Sequence, residues 1–187
     1  MIDSNQLRNG TNFTVDGEIF KVLKYHHNKT GRGGATIKVQ VRNLRTGGTR
    51  EMSFNSGERV EDIFIETVAV EYLYDDGEFL TFMNIETYEQ PQLRKELFGD
   101  DFLYMTPNLQ IKLMTYGTEI IDYELPPNVD HDVADAEMAV AGDTATGATK
   151  KVTTETGLSV TVPLFVNVGD RIRVDTRSGE YVTRVQD

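Results

Sequence analysis

Short runs of alternating apolar and polar residues dominate the chain and predict β-strands throughout. The clearest run covers residues 35–44. Its apolar face would carry Ile37, Val39 and Val41, and its polar face would carry Lys38, Gln40 and Arg42. Turn dipeptides such as Asn9-Gly10 and Asp16-Gly17 separate the runs. The pattern predicts an all-β protein, in which residues 92–98 are the one good candidate for a short helix.

Strand spacing divides the chain into three predicted β-barrel domains in series. Residues 1–63 have the size and the five short strands of an SH3-like, KOW-like barrel. Residues 64–126 combine strands with the short helix, as OB-type barrels do. Pro126-Pro127 is a rigid break, and residues 127–187 again fit an OB-type barrel.

Three local features add detail to this organisation. Residues 18–25 do not alternate cleanly, which predicts a bulge or a strand partly buried on both faces. Residues 55–62 are interpreted as a loop because they are mostly polar and charged. Residues 86–90 are predicted to form a third strand in the second domain, ending at Pro91.

Charge is distributed unevenly along the chain. The formal net charge is −11, but residues 1–63 carry +3, residues 64–126 carry −10 and residues 127–187 carry −4. Affinity for nucleic acid grows with the phosphates that Lys and Arg neutralise, so only the first third is a plausible nucleic-acid-binding part. There the stretch Ile19–Arg50 contains no Asp or Glu and eight basic residues: Lys21, Lys24, Lys29, Arg32, Lys38, Arg42, Arg45 and Arg50.

A glycine-flanked arginine lies at the centre of this acid-free stretch. Gly31, Gly33 and Gly34 leave Arg32 as the only long side chain at the tip of a predicted hairpin, and glycine lets a backbone approach a partner closely. We predict an RNA-contacting tip at Lys29, Gly31, Arg32, Gly33 and Gly34, supported by a basic face of Lys24, Lys38 and Arg42. A hairpin turn with a solvated arginine is the alternative.

Other chemistry has little support in the sequence. The chain has no cysteine, and the adjacent His26 and His27 would point to opposite faces of a strand, which is poor geometry for one metal ion. The acids around Asp132 are interpreted as a solvated strand face, since they lack calcium-loop spacing. No nucleophile-and-base motif, phosphate-binding loop or dinucleotide fingerprint occurs, so we predict no enzyme, no cofactor and no metal.

Two further features concern partners. Gly142-Asp143-Thr144 forms a short loop whose carboxylate can accept hydrogen bonds from base amino groups, although an Asx-type turn explains it equally well. The N-terminus lacks a signal-peptide pattern, and no apolar run approaches the roughly 20 residues that span a bilayer. We therefore expect no membrane association.

Several segments together resemble the bacterial translation elongation factor P family over the whole length of the chain. The combination is specific because the segments occur in order and in register. They are Gly31-Arg32-Gly33-Gly34-Ala35, residues 72–79 (YLYDDGEF), 82–84 (FMN), 86–90 (ETYEQ), Gly142-Asp143-Thr144, Thr156-Gly157, 162–166 (VPLFV) and 175–181 (DTRSGEY).

The resemblance implies a fold and a task. It implies three barrels arranged in an L shape like tRNA, and a cytoplasmic factor, expected to be a monomer, that binds the ribosome between the peptidyl and exit sites. The Arg32 tip would position peptidyl-tRNA and so relieve stalling at consecutive prolines, while the Gly142-Asp143-Thr144 loop would meet messenger RNA in the exit site. Arg32 also occupies the family position that enzymes can extend, which makes it a candidate modification site.

Two other classes of function remain open at this point. A generic RNA- or single-stranded-DNA-binding module built from OB barrels would use exposed aromatics in a basic groove, and the two acidic domains fit that poorly. An enzyme would rest only on the acidic cluster near Asp132. Catalysis is therefore the weakest of the three hypotheses.

Overall fold

The computed structural model describes residues 1–28, 35–138 and 147–186. In these ranges the strands form three separate sheets, as the all-β prediction required. Contacts between residues divide the chain into two compact units, one of Met1–Val68 with Leu113–Tyr123 and one of Ala69–Lys112 with Glu124–Asp187.

The first sheet has six strands in the order β1-β6-β2-β3-β4-β5. Its strands are β1 (Ile2–Asp3), β2 (Asn12–Val15), β3 (Glu18–Asn28), β4 (Thr36–Asn43), β5 (Thr49–Asn55) and β6 (Arg59–Asp62). A short 3₁₀ helix, Ser4–Gln6, follows β1, and Asp3 caps it. The loop predicted at residues 55–62 was partly wrong, because β6 pairs with β1 and β2 through main-chain bonds despite its charged sequence.

Aromatic side chains fill the core of this first sheet. Phe13 is fully buried and its ring lies 5.8 Å from those of both Phe20 and Phe54. The apolar side chains of β4 are fully buried against them, as the alternation predicted. The alternating polar side chains Lys38, Gln40 and Arg42 consequently lie on the outer surface.

The middle sheet has the order β11-β10-β7-β8-β9. Its strands are β7 (Glu66–Asp75), β8 (Phe79–Asn84), β9 (Gln92–Arg94), β10 (Gln110–Tyr116) and β11 (Glu119–Glu124). The strand predicted at residues 86–90 was wrong. Asn84 accepts hydrogen bonds there from the backbone N–H groups of Glu86 and Thr87, so this segment forms a turn.

The predicted helix at residues 92–98 begins later and has a different type. Residues 92–94 form β9, and a 3₁₀ helix covers Lys95–Tyr104 with a kink at Gly99, where φ is 51°. Leu93 is buried whereas Leu97 is 58% exposed, so the two leucines do not share one buried face. Their spacing of four residues was therefore not a helical signal.

The third sheet has the order β14-β13-β12-β15-β16. Its strands are β12 (Asn128–Ala136), β13 (Thr149–Thr154), β14 (Ser159–Pro163), β15 (Arg171–Asp175) and β16 (Tyr181–Val185). Valines dominate its core, and Tyr104, at the end of the 3₁₀ helix, is buried among them. Thr156 donates a hydrogen bond to the carbonyl of Leu103, which fixes the end of that helix against the β13–β14 turn.

Candidate nucleic-acid interface

The register between β3 and β4 brings basic side chains to one outer face of the first sheet. Lys21 lies opposite Arg42, Lys24 opposite Gln40, and His26 opposite Lys38. Residues directly opposite each other on antiparallel strands share a face. The three residues of the predicted basic face, Lys24, Lys38 and Arg42, therefore lie on the same side of the sheet.

A β-bulge in β3 makes this arrangement possible. The register shifts between Val22 and Lys24, so Leu23 is the extra residue. Without it, strict alternation would turn Lys24 toward the core, because Lys21 already faces outward. The sequence predicted either a bulge or a strand partly buried on both faces, and the structure has the bulge. That Lys21 joins the basic face as a consequence was not predicted, although the imperfect alternation of β3 was the signal that could have revealed it.

The cations on this face are not equivalent. Lys38 forms an ion pair with Glu51 of β5, with 3.1 Å between Nζ and Oε1. Lys21, Lys24 and Arg42 are exposed and form no ion pair with any residue that the structure describes. These three carry the uncompensated positive charge of the outer face.

Two arginines of the acid-free stretch are held within the protein instead. The Arg50 guanidinium lies 4.5 Å from the centre of the Phe20 ring and 3.8 Å from a carboxylate oxygen of Glu18. Arg45 forms two hydrogen bonds with Glu119, which raises the pKa of the guanidinium and lowers that of the carboxyl. The acid-free stretch therefore divides into outward-facing and structural cations.

The predicted tip residues Lys29, Gly31, Arg32, Gly33 and Gly34 lie outside the described residues. The strands on either side of them are described. Asn28 of β3 and Thr36 of β4 are the last Cα partners before the tip segment. The basic face therefore lies on the two strands that lead directly into that segment.

The second predicted contact, Gly142-Asp143-Thr144, also lies outside the described residues. It belongs to the connection between β12 and β13, which are antiparallel neighbours. On β12 itself, Asp130 accepts two hydrogen bonds from Arg173, at 2.7 and 2.9 Å, and these lower the pKa of its carboxyl. Within residues 1–28, 35–138 and 147–186 no three potential metal ligands cluster together.

Family comparisons cover nearly the whole chain. Three family models match in succession: the elongation factor P KOW-like domain at residues 3–60, the elongation factor P OB domain at residues 65–123, and the elongation factor P C-terminal domain at residues 129–184. The chain belongs to the elongation factor P family. It is therefore a translation elongation factor rather than a classical enzyme.

Relatives and solved structures agree with this family assignment. Elongation factor P of Moorella thermoacetica is 42% identical over 184 residues, covering 98% of this chain and all of the relative. Elongation factor P of Herpetosiphon aurantiacus is 42% identical over 185 residues, covering 99% of this chain and all of the relative. The solved eukaryotic translation initiation factor 5A from Methanococcus jannaschii shares the fold, with a TM-score of 0.53 and 18% identity over 67% of this chain and 90% of its own.

Membrane association was not expected from the sequence. No helix in the described residues is long and apolar enough to cross a bilayer.

Proposed function

We propose that this elongation factor P family member binds the ribosome between the peptidyl and exit sites and positions peptidyl-tRNA through its Arg32 tip. In this proposal it relieves stalling at consecutive prolines. The observation that carries the proposal is the one-sided distribution of charge. Lys21, Lys24 and Arg42 share an outer face on the strands leading into the tip segment, in a chain whose net charge is −11.

Electrostatics supports an RNA partner for that face. Each phosphate neutralised by Lys or Arg releases counterions, and the logarithm of the binding constant falls by about 0.7 to 0.9 per contact for each tenfold rise in salt. Three uncompensated cations allow a slope of roughly −2 to −3 on this basis. The acidic remainder of the chain repels phosphate. The electrostatic field of the protein therefore orients it so that the basic face approaches the RNA.

The proposed contribution to the reaction is positioning. Peptide-bond formation remains chemistry of the ribosome, and a factor that holds the acceptor end in a reactive geometry lowers the entropic part of the barrier. An arginine suits this task because its planar guanidinium can bind a phosphate with two hydrogen bonds or stack on a base. Arg32 is also the proposed modification site.

The remaining parts of the proposal follow the family organisation. We assign residues 1–63, 64–126 and 127–187 to three barrel domains, and the Gly142-Asp143-Thr144 loop to messenger RNA in the exit site. The factor would act as a cytoplasmic monomer with the ribosome and peptidyl-tRNA as partners. It requires no cofactor for this role.

A reconstituted translation assay on a message with consecutive prolines tests the proposal. Arg32→Ala is expected to abolish relief of stalling, while Arg59→Ala, an exposed arginine on β6, is expected to preserve it. Circular dichroism of both variants checks that the fold survives. Unchanged relief with Arg32→Ala would overturn the assignment of the tip.

Binding to free RNA oligonucleotides separates this role from that of a generic nucleic-acid-binding module. A ribosome-specific factor with three free cations should bind such oligonucleotides weakly at physiological salt. Tight binding there, with no effect on stalling, would favour the generic module.

A further inference from the structure

Arg45 belongs to the acid-free stretch, yet its guanidinium binds a carboxylate that is distant in sequence. Its Nε and Nη2 donate to the two carboxylate oxygens of Glu119, at 2.7 and 2.9 Å, and its Nη1 donates to the carbonyl of Gly17 at 2.5 Å. Glu119 is 74 positions away in sequence, at the start of β11. One guanidinium therefore joins three turns: β2–β3, β4–β5 and β10–β11.

The turn that carries Arg45 is itself well fixed. Asn43, which is 8% exposed, accepts hydrogen bonds through its side-chain oxygen from the backbone N–H groups of Arg45 and Thr46. Its side-chain amide also donates to Glu18 at 3.1 Å. The base of the Arg45 side chain is therefore held by the first sheet, so the guanidinium is presented from a defined position.

The partner side is also defined by backbone geometry. Glu119 follows the β10–β11 turn, where Gly117 has φ of 59°. This hairpin belongs to the same compact unit as the first sheet. Because a two-bond arginine–carboxylate pair fixes distance and direction together, the contact sets the angle between the first sheet and the hairpin.

We propose that Arg45 is a positioning residue that sets the orientation of the tip-bearing first sheet against the β10–β11 hairpin. This inference rests on the proposed function, since orientation matters because the first sheet carries the Arg32 tip. Arg45 and Glu119 are about 40% exposed, and exposed pairs add little to folding stability. The expected effect is therefore a wider range of orientations in a chain that still folds normally.

Distances between spin labels test the orientation directly. The chain contains no cysteine, so Asn9→Cys in the turn before β2 and Thr118→Cys in the β10–β11 turn provide two unique exposed labelling positions. Arg45→Ala is expected to broaden the distance distribution, with the population outside the wild-type peak rising about fivefold, the effect of an exposed pair at the upper end of its range. Arg59→Ala is the matched control, because it removes the same charge without touching Glu119.

A charge exchange separates positioning from general damage. Arg45→Glu should broaden the distribution, and the double variant Arg45→Glu with Glu119→Arg should narrow it again. Relief of proline stalling should fall in Arg45→Glu and recover in the double variant, while the melting temperature stays unchanged in both. An unaltered distance distribution in Arg45→Ala would overturn the inference, and so would a broadened one with full relief of stalling.

The two proposals can fail separately. If the wild-type chain gives no relief of stalling, the proposed function is wrong. The distance measurements would then still decide whether Arg45 fixes the orientation.

Discussion

Lys38 and Glu51 lie diagonally across β4 and β5, with 3.1 Å between Nζ and Oε1. Glu51 lies on the outer face of the first sheet that Lys21, Lys24 and Arg42 also occupy. Its carboxylate compensates the charge of Lys38, whereas the other three cations form no ion pair within the part of the chain that the structure describes. Residues that look equivalent in sequence should therefore contribute unequally to RNA binding.

Replacing Arg42 should weaken ribosome binding more than replacing Lys38. Arg42→Ala removes one cation that has no ion-pair partner in the described part of the chain. The slope of log binding constant against log salt concentration should therefore become less steep by about 0.7 to 0.9. Lys38→Ala should change it by less, because Glu51 already neutralises that ammonium group. Binding of each variant to purified ribosomes, measured over a range of KCl concentrations, gives the two slopes.

Glu51→Gln is the complementary control for this comparison. It releases Lys38, so affinity should rise and the slope should steepen. If both Arg42→Ala and Lys38→Ala kept the wild-type slope, RNA would not contact this face. If both flattened the slope equally, Glu51 would not withhold Lys38 from RNA.

Tyr104 should be a major source of stability for the third sheet. It is 7% exposed and packs among the core valines, although it belongs to the 3₁₀ helix that precedes β10. Removing a buried aromatic ring leaves a cavity, and Tyr104→Ala should lower the free energy of unfolding by about 3 kcal/mol. Urea unfolding followed by circular dichroism measures this change.

Tyr88 supplies the matched control because its ring is 72% exposed. Tyr88→Ala should change the free energy of unfolding by less than about 0.5 kcal/mol. Similar losses in both variants would show that the packing of Tyr104 is not responsible.

Local patterns predicted the parts of the fold that depend on local physics. The alternation in β4 predicted its buried face, and the imperfect alternation in β3 predicted a bulge or a strand partly buried on both faces, of which the structure has the bulge. The alternation of apolar and polar residues failed to predict strands that form because of pairing between segments distant in sequence. Residues Arg59–Asp62 are mostly charged yet form β6, because main-chain bonds to β1 and β2 do not depend on side-chain polarity. Leu93 became part of β9 because β8 offers it a partner.

The same division applies to the candidate interface. Counting charges located the acid-free stretch, and strand periodicity placed Lys38 and Arg42 on one face. The sequence could not reveal that Lys38 is compensated or that Arg45 is bound to Glu119, because both pairs join residues brought together only by the fold. The charge of a side chain can be deduced from the sequence, whereas whether that charge is free to bind a partner depends on the fold.

His131 should make the protein less stable as the pH falls below neutrality. The residue is fully buried on β12, and neither ring nitrogen has a hydrogen-bond partner in the described part of the chain. Burial lowers its pKa to about 4, and the charges of Asp130 and Asp132 oppose this only in part. Glu155 lies beside the ring, with 3.5 Å between Nδ1 and Oε1, and the centre of the Tyr104 ring lies 6.1 Å from that of His131.

The direction of the effect follows from proton binding in the two states. Histidine in an unfolded chain has a pKa of about 6.5, so between pH 6.5 and 4 the unfolded state binds a proton that the folded state does not. Stability contributed by His131 is therefore present above pH 6.5 and decreases by about 3 kcal/mol as the pH falls to 4. Burial raises the pKa of Glu155, which acts in the opposite direction and offsets part of the loss.

Replacing His131 by a non-titrating ring isolates this contribution. His131→Phe should remove most of the decline in the free energy of unfolding between pH 6.5 and 4, measured by urea unfolding at a series of pH values. It should also raise stability at the acid end, because no imidazole then has to be kept neutral in the core. His26→Phe alters an exposed histidine and should leave the profile parallel to that of the wild type. If the His131→Phe profile also stayed parallel, the acid sensitivity would have to come from carboxylates that are ion-paired in the folded state, such as Asp130 with Arg173.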